Sequence, residues 1–161
     1  MAEQRLWAPW RLRYVQGERN DEGCIFCLAA ASTDDEERHV LARGERCFVM
    51  LNAFPYNSGH LMVSPFRHVA SIGDLDDDES LELMALTRSA LRALRETYHP
   101  GGFNLGVNEG EIAGAGFAGH AHLHVVPRWA ADSNFMAVTG DTRVLPQSLD
   151  DSYRALRQRF A

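Results

Sequence analysis

The stretch His-Ala-His-Leu-His-Val-Val occupies residues 120–126 and carries the clearest structural signal in the chain. Its histidines, His120, His122 and His124, alternate with apolar residues. On a β-strand, this period places all three imidazoles on one face, roughly 6.6 Å apart along the chain, and turns the apolar residues toward the core. A neutral imidazole is a nucleophile, and cationic imidazoles beside it would stabilise phosphate charge and protonate a leaving group. The pattern predicts a catalytic cluster in preference to structural histidines.

A glycine-rich loop, GEIAGAGFAG at residues 110–119, comes directly before these histidines. Glycine lets backbone N–H groups approach an anion closely. The chain contains no lysine, so its 16 cationic residues are all arginines. This excludes Schiff-base chemistry and a phosphate loop of the Gly-Lys-Ser/Thr type. Any phosphate must be held by backbone N–H groups, arginines, histidines or amides, and we expect the loop to be a phosphate cradle.

Cys24 and Cys27 form a pair separated by two residues, which is typical of redox pairs and of half zinc sites. No thioredoxin-like βαβ pattern surrounds the pair, so zinc is favoured, although two buried structural cysteines would give the same pattern. A structural zinc site needs four ligands. Histidines elsewhere in the chain are the plausible source of the other two. Cys47 lies within an apolar strand pattern and is expected in the core.

Composition indicates one globular domain: the 161 residues are 45% hydrophobic and 24% charged. No apolar run approaches the ~20 residues of a membrane span. The formal net charge of -6, without a basic stretch, argues against nucleic acid as a partner. Residues 1–10 lack the apolar core of a signal peptide, and an odd cysteine count argues against a disulfide framework. We therefore expect a cytoplasmic protein without membrane contact.

Hydrophobic periodicity predicts an α+β domain with an antiparallel sheet. Strand patterns occupy residues 45–51, 60–64, 103–107 and 121–127. A long helix is predicted over residues 76–99, because apolar side chains recur at spacings of three and four after an acidic cluster that suits a helix N-terminus. A second helix is predicted over residues 146–160, and residues 30–39 are expected to form a loop or a short helix.

These motifs resemble the histidine-triad (HIT) family, whose signature is His-φ-His-φ-His-φ-φ with φ apolar. NAFPYNSGHLMV at residues 52–63 resembles the family's ribose-binding strand pair, and GFNLGVNEG at residues 102–110 resembles its phosphate-side strand. The resemblance covers most of the chain and implies a single HIT domain over residues 1–161. The implied HIT-like fold has an antiparallel sheet of about five strands, a long helix and a C-terminal helix. The resemblance divides the chain into an N-terminal arm over about residues 1–23, a core over 24–130, and a C-terminal extension with a helix over 131–161.

The resemblance also implies roles for individual residues. His122 would be the nucleophile that becomes nucleotidylated, His124 would contact the α-phosphate, and His60 would support the histidine network. The implied nucleotide-binding residues are Asn52 at the ribose hydroxyls, Asn108 at the phosphate, and Gly116, Phe117 and His124. Family members with the cysteine pair bind structural zinc, and their pattern implies the ligands Cys24, Cys27, His68 and His120. His120 would then be structural, which its periodicity alone does not indicate.

Within the family, three segments resemble diadenosine tetraphosphate phosphorylases and their bacterial relatives. They are LWAPWR at residues 6–11, PYNSGH at 55–60, and the tail from PRW at 127–129 to NF at 134–135. The resemblance implies cleavage of a dinucleoside polyphosphate through a covalent nucleotidyl-histidine, with phosphate as the acceptor. It also implies a homodimer or a tetramer, and it leaves room for a divalent cation bound with the polyphosphate.

The glycine-rich loop differs from the corresponding loop in both the hydrolase and the phosphorylase branches of the family. It has AGAGF at residues 113–117 where hydrolases have Gln-Ser, and Gly116 where phosphorylases have serine. One alternative is therefore a HIT hydrolase or phosphoramidase with water as the acceptor. Two others are a nucleotide-binding signalling module and a zinc-dependent structural adaptor, and the intact His122 argues against both.

Overall fold

The computed structural model describes residues 23–130, 132 and 147–160. Within these ranges the chain forms three α-helices and five β-strands. In chain order they are α1 (Ile25–Ala31), β1 (Val40–Arg43), β2 (Cys47–Leu51), β3 (Leu61–Pro65), α2 (Asp77–Tyr98), β4 (Gly102–Gly106), β5 (Leu123–Arg128) and α3 (Leu149–Arg157). Two short 3-10 turns, Ile72–Asp74 and Glu111–Ala113, lie in the connections.

The strands form one antiparallel sheet in the order β1-β2-β3-β5-β4, which confirms the predicted fold class. The register between β3 and β5 pairs His124 with Met62 and Val125 with Leu61. Because side chains alternate along a strand, His124 and Met62 share one face of the sheet, and Val125 and Leu61 share the other.

Each face of the sheet has its own apolar cluster. On the Val125 face, side chains of α2 and α3, among them Leu94 and Leu156, pack against the strands. On the His124 face, Met62 packs with Phe26 of α1 and with alternate residues of β1 and β2. All five residues of β2 are buried because both faces are covered. The histidines therefore lie on the side of the sheet that faces α1, opposite the long helix.

Helix α2 begins and ends where its sequence predicts. The Asp76 carboxylate accepts a hydrogen bond from the Glu79 backbone N–H, and the Glu79 carboxylate accepts one from the Asp76 N–H, which makes a capping box. The helix ends at His99, which adopts the left-handed conformation with a φ of 48°. Asp76 and His99 are thus the two caps of the helix predicted over residues 76–99.

Several local features differ from the sequence-based predictions: the strand predicted from residue 45 begins at Cys47, and the helix predicted over residues 146–160 spans Leu149–Arg157. Helix α1 and the four-residue strand β1 are not predicted, while residues 32–39 form turns as expected. Strand β5 begins at Leu123, so the predicted start at residue 121 is wrong. The backbone N–H of Ala121 donates to the Val69 carbonyl, at 2.6 Å, outside the sheet, and the regular ladder starts only after it.

Two predicted segments lie partly outside the described residues: the N-terminal arm up to residue 22, and the C-terminal extension at residues 131, 133–146 and 161. In the described ranges, no helix is long and apolar enough to cross a membrane.

Candidate active site

Four histidine side chains meet on the face of the sheet that α1 covers. His124 lies in β5, His122 directly precedes that strand with His120 two residues before it, and His60 directly precedes β3. All four are buried. Ring centroids are 4.8 Å apart for His122 and His124 and 5.1 Å apart for His60 and His124. The structure therefore brings together His60, His122 and His124, the residues for which the sequence predicts catalytic roles.

A backbone carbonyl fixes the tautomer of His122. Its Nδ1 lies 2.8 Å from the carbonyl oxygen of His120, which can only accept a hydrogen bond. Nδ1 must therefore carry the proton, and in the neutral ring Nε2 keeps a free lone pair. A neutral imidazole with an unprotonated Nε2 is the form that attacks an electrophile.

A chain of hydrogen bonds fixes the tautomers of His60 and His124 in the same way. The backbone N–H of Tyr56 donates to His60 Nδ1 at 3.1 Å, so the proton of the neutral His60 ring is on Nε2. That Nε2 donates to His124 Nδ1 at 2.9 Å. The proton of the neutral His124 ring is therefore on its Nε2, where it can donate to a bound ligand.

Burial keeps these imidazoles neutral in the free protein. Desolvation, and then the neighbouring His124 and His122, lower the pKa of His60 to about 3. Desolvation followed by His122 lowers the pKa of His124 to about 4, and burial also lowers the pKa of His122. The expectation of cationic imidazoles beside the nucleophile is therefore wrong for the free protein. Phosphate charge would meet neutral N–H donors there.

The four residues implied as zinc ligands form one cluster. The Sγ atoms of Cys24 and Cys27 and ring nitrogens of His68 and His120 all lie within 4.8 Å of one another. Cys24 Sγ is 3.3 Å from His120 Nδ1, and Cys27 Sγ is 3.3 Å from His68 Nδ1. In tetrahedral zinc sites, sulfur and nitrogen ligands are about 3.5 Å apart. The donor set and its spacing fit a structural zinc ion.

His120 belongs to this cluster rather than to the nucleophile. Its Nε2 donates to the Pro65 carbonyl at 2.9 Å, which leaves Nδ1 unprotonated and directed at the two sulfur atoms. The residue therefore has two functions: its ring can ligate a metal, and its backbone carbonyl orients His122.

Asn52 lies at the end of β2, close to the histidine network. Its Oδ1 accepts a hydrogen bond from the Phe54 N–H at 2.9 Å, as in an Asx turn, and its Nδ2 is 3.5 Å from His60 Nε2. The side chain is half-buried, so the turn and a contact with ribose are compatible.

Asn108 lines a shallow cavity of about 220 Å³ that His124 borders. Gly116 is exposed, and Phe117 is half-buried with its ring edge against Phe26. In the glycine-rich loop, Gly110 and Gly114 have φ angles of 84° and 87°, which favour glycine. The Gly114 N–H donates within the loop, as does that of Ala115, so any phosphate cradle must use other amides.

Sequence reasoning missed a polar network at the far side of this cavity. The Arg128 guanidinium binds both carboxylate oxygens of Asp132, at 2.6 and 2.8 Å, and donates to Asn104 Oδ1 at 2.7 Å. This contact holds the pKa of Asp132 well below its usual range. The Asn57 amide donates to Asp132 and to the Pro127 carbonyl. Arg128 thus lines the same cavity as Asn108 and His124, with its guanidinium held by Asp132 and Asn104.

Sequence reasoning also missed Phe26, although it lies between the two cysteines. Its fully buried ring stacks on His122, with centroids 4.6 Å apart and planes at 29°. Its place inside the Cys-x-x-Cys segment is the only signal that could have drawn attention to it.

Known proteins resemble this chain in sequence and in fold. The model of the HIT domain matches residues 33–131. An AP-4-A phosphorylase of Mycobacterium tuberculosis is 44% identical over 98% of this chain and 85% of its own length. A Zn-bound histidine triad family protein from Mycobacterium smegmatis has a TM-score of 0.69 at 27% identity, over 86% of this chain and 93% of its own. A HIT family member from Bacillus subtilis has a TM-score of 0.62 at 26% identity, over 81% and 86% of the two chains.

Proposed function

The chain belongs to the HIT family of nucleotide-processing enzymes, and from that premise we propose that it cleaves dinucleoside polyphosphates through a nucleotidyl intermediate on His122. The hydrogen bond from His122 Nδ1 to the His120 carbonyl carries the proposal, because it leaves Nε2 as a free nucleophile. The 44% identity with a protein named AP-4-A phosphorylase supports diadenosine tetraphosphate as the test substrate.

In the first step, His122 Nε2 attacks the α-phosphorus in line with the bridging oxygen on its far side. The new N–P bond forms as the P–O bond breaks, and the leaving polyphosphate takes the electron pair; with diadenosine tetraphosphate it leaves as ATP. The ring then carries a positive charge, which the His120 carbonyl stabilises through the Nδ1–H bond. His124 Nε2–H donates to a phosphate oxygen as its charge develops.

In the second step, an oxygen of inorganic phosphate attacks the same phosphorus. The N–P bond breaks, neutral His122 is restored, and the product is ADP. Asn108, which borders the same cavity as His124, supplies an amide for the phosphate groups. The alternative is attack by water, which would release AMP, and the exposed glycine-rich loop leaves room for either acceptor.

Product analysis separates phosphate from water as the acceptor. With diadenosine tetraphosphate and inorganic phosphate, we expect ADP and ATP in equal amounts and a turnover that rises with phosphate concentration until the site saturates. ¹⁸O-labelled phosphate should place the label in ADP. AMP and ATP, formed at a rate indifferent to phosphate, would contradict phosphate transfer and support the hydrolase.

The Asn52→Ala variant tests the proposed contact between Asn52 and ribose. We expect nucleoside monophosphate to bind about 10-fold more weakly, because one or two hydrogen bonds to ribose hydroxyls are lost. The melting temperature should change little, since Asn52 is half-buried in a turn. Calorimetric titration and thermal unfolding measure the two effects. A lower melting temperature with unchanged affinity would instead assign Asn52 to the turn alone.

The Cys24, Cys27, His68 and His120 cluster is proposed to hold a structural zinc ion. The support is its tetrahedral spacing and the Zn-bound Mycobacterium smegmatis neighbour. Thiol ligands stay reduced in the cytoplasm, so the same cluster supports a cytoplasmic location. A divalent cation that accompanies the polyphosphate would be bound separately, by the phosphate oxygens.

The edge of the sheet at β4 supports a homodimer, or a tetramer built from dimers. Among the described strands, β4 pairs only with β5, and Leu105 at this edge is 48% exposed. Unpaired edge strands are usually covered or paired. Sedimentation equilibrium at micromolar concentration should give at least twice the 18.0 kDa chain mass. A single species of 18.0 kDa would contradict the dimer.

A further inference from the structure

The Phe26 ring joins the Cys2His2 cluster to the nucleophile. Phe26 lies in the first turn of α1 between Cys24 and Cys27, and its side chain is fully buried. Besides its stack on His122, its ring centroid is 5.1 Å from that of His120 and 6.1 Å from that of Phe117 in the glycine-rich loop. One side chain thus contacts a metal-cluster residue, the nucleophile and the loop.

The hydrogen bond at His122 Nδ1 does not by itself fix the imidazole plane. It restrains one ring atom against the His120 carbonyl, while the torsion between Cβ and the ring is intrinsically soft in histidine. His124 contacts the ring nearly edge-on, at 76°, whereas Phe26 lies against its face at 29°. The stack on the Phe26 face therefore sets the plane of the His122 ring, and with it the direction of the Nε2 lone pair.

The position of Phe26 depends in turn on the anchors of α1. This helix has only seven residues, and its N-terminus has no capping hydrogen bond from a side chain. Helices this short are not stable alone. Cys24 and Cys27 attach its first turn to the cluster, and the Arg43 guanidinium donates to the carbonyls of Ala29 and Ala30 at its other end.

We propose that Phe26 is a positioning residue, which holds the His122 ring in the plane that directs Nε2 at the substrate phosphorus. Because Phe26 lies between the two cysteines, the position of its ring against His122 depends on the geometry of the cysteine cluster. The inference rests on the proposed role of His122 as nucleophile. Small displacements of a reacting atom reduce rates strongly: about 1 Å costs about 100-fold. Phe26 therefore acts on the rate of phosphorus attack and not on nucleotide affinity.

The test compares Phe26→Leu with Phe48→Leu. Both phenylalanines are fully buried in the same apolar cluster. The Phe48 ring stacks on Phe66 at 5.2 Å, and no contact with a histidine ring is found for it among the described residues. The same substitution at both sites therefore gives a similar loss of packing, and only one removes the ring from His122. Each variant is measured for melting temperature, metal per chain, AMP affinity, kcat, and the NMR signals of the His122 ring C–H protons.

We expect both variants to lose stability to a similar extent, to retain their metal and to bind AMP with unchanged affinity. Only Phe26→Leu should lose kcat, by about 10- to 100-fold. Only in that variant should the NMR signals of the His122 ring protons shift downfield, since the Phe26 ring that shields them is gone. Equal kcat losses in the two variants, or unchanged His122 signals in Phe26→Leu, would overturn the inference. A loss of AMP affinity at constant kcat would overturn it as well, because Phe26 would then belong to the binding wall.

The same series distinguishes failure of this inference from failure of the proposed function. If His122 is not the nucleophile, His122→Ala keeps its turnover, and the inference falls with it. If only the role of Phe26 is wrong, His122→Ala is inactive while Phe26→Leu is as active as Phe48→Leu.

Discussion

The His122→Ala variant should lose turnover of diadenosine tetraphosphate by about 10⁴-fold or more, because the proposed covalent intermediate forms on the imidazole that this substitution removes. His122 is buried against Phe26, so the substitution also leaves a small cavity. We nevertheless expect folding, metal content and AMP binding to persist, since the metal ligands and Asn52 are untouched. Steady-state kinetics, metal analysis and calorimetric titration measure these properties.

A second histidine variant controls for loss of an imidazole as such. His99 is exposed and lies at the C-terminal cap of α2, and asparagine tolerates its left-handed backbone. His99→Asn should keep full activity. Turnover of His122→Ala within 10-fold of the native rate would contradict the nucleophile assignment.

The Cys24→Ala variant should lose its bound metal and much of its stability. Structural zinc contributes roughly 10–16 kcal/mol of binding free energy in zinc-finger peptides, and that energy is coupled to folding. Here the cluster fixes only one short helix and one loop, so we expect a smaller share of this binding free energy to contribute to folding stability. For a domain of this size, a loss of several kcal/mol lowers the melting temperature by about 10 °C or more. Atomic absorption and thermal unfolding are the measurements.

Cys47→Ala is the matched control for the metal prediction. Cys47 is fully buried in β2, outside the cluster, and burial and nearby carboxylates raise the pKa of its thiol to about 12. Its replacement removes a sulfur atom without removing a ligand. It should therefore keep one metal ion per chain. Equal zinc content in Cys24→Ala and the native protein would contradict the ligand set.

Elements with strong local signals could be predicted from the sequence. Helix α2 has an acidic cap, a regular apolar stripe and a terminating His-Pro-Gly-Gly stretch, so both of its ends are encoded locally. Helix α1 and strand β1 lack such signals. Strand β1 has four residues, and α1 is maintained by long-range contacts with Arg43 and the cysteine cluster. Such contacts cannot be inferred from periodicity.

The candidate site likewise contains residues that the sequence pattern identifies and residues whose roles depend on long-range contacts. Alternation at residues 120–124 identifies the histidines, but it does not separate His120, whose ring faces two sulfur atoms, from His122. The resemblance to the HIT family made that separation. The role of Asp132 depends on its ion pair with Arg128 and its contact with Asn57, and no sequence motif marks it. Burial explains why neutral imidazoles replace the expected cations, and burial depends on how α1 covers the sheet.

Trapping the covalent intermediate tests directly whether His122 is the nucleophile. The native protein is mixed with diadenosine tetraphosphate in the absence of phosphate, quenched at alkaline pH to preserve the N–P bond, digested, and examined by fragmentation mass spectrometry. We expect one adenylyl group on His122, and none on the same peptide of the His122→Ala variant. Adenylylation of His124, or rapid turnover without any histidine adduct, would contradict it.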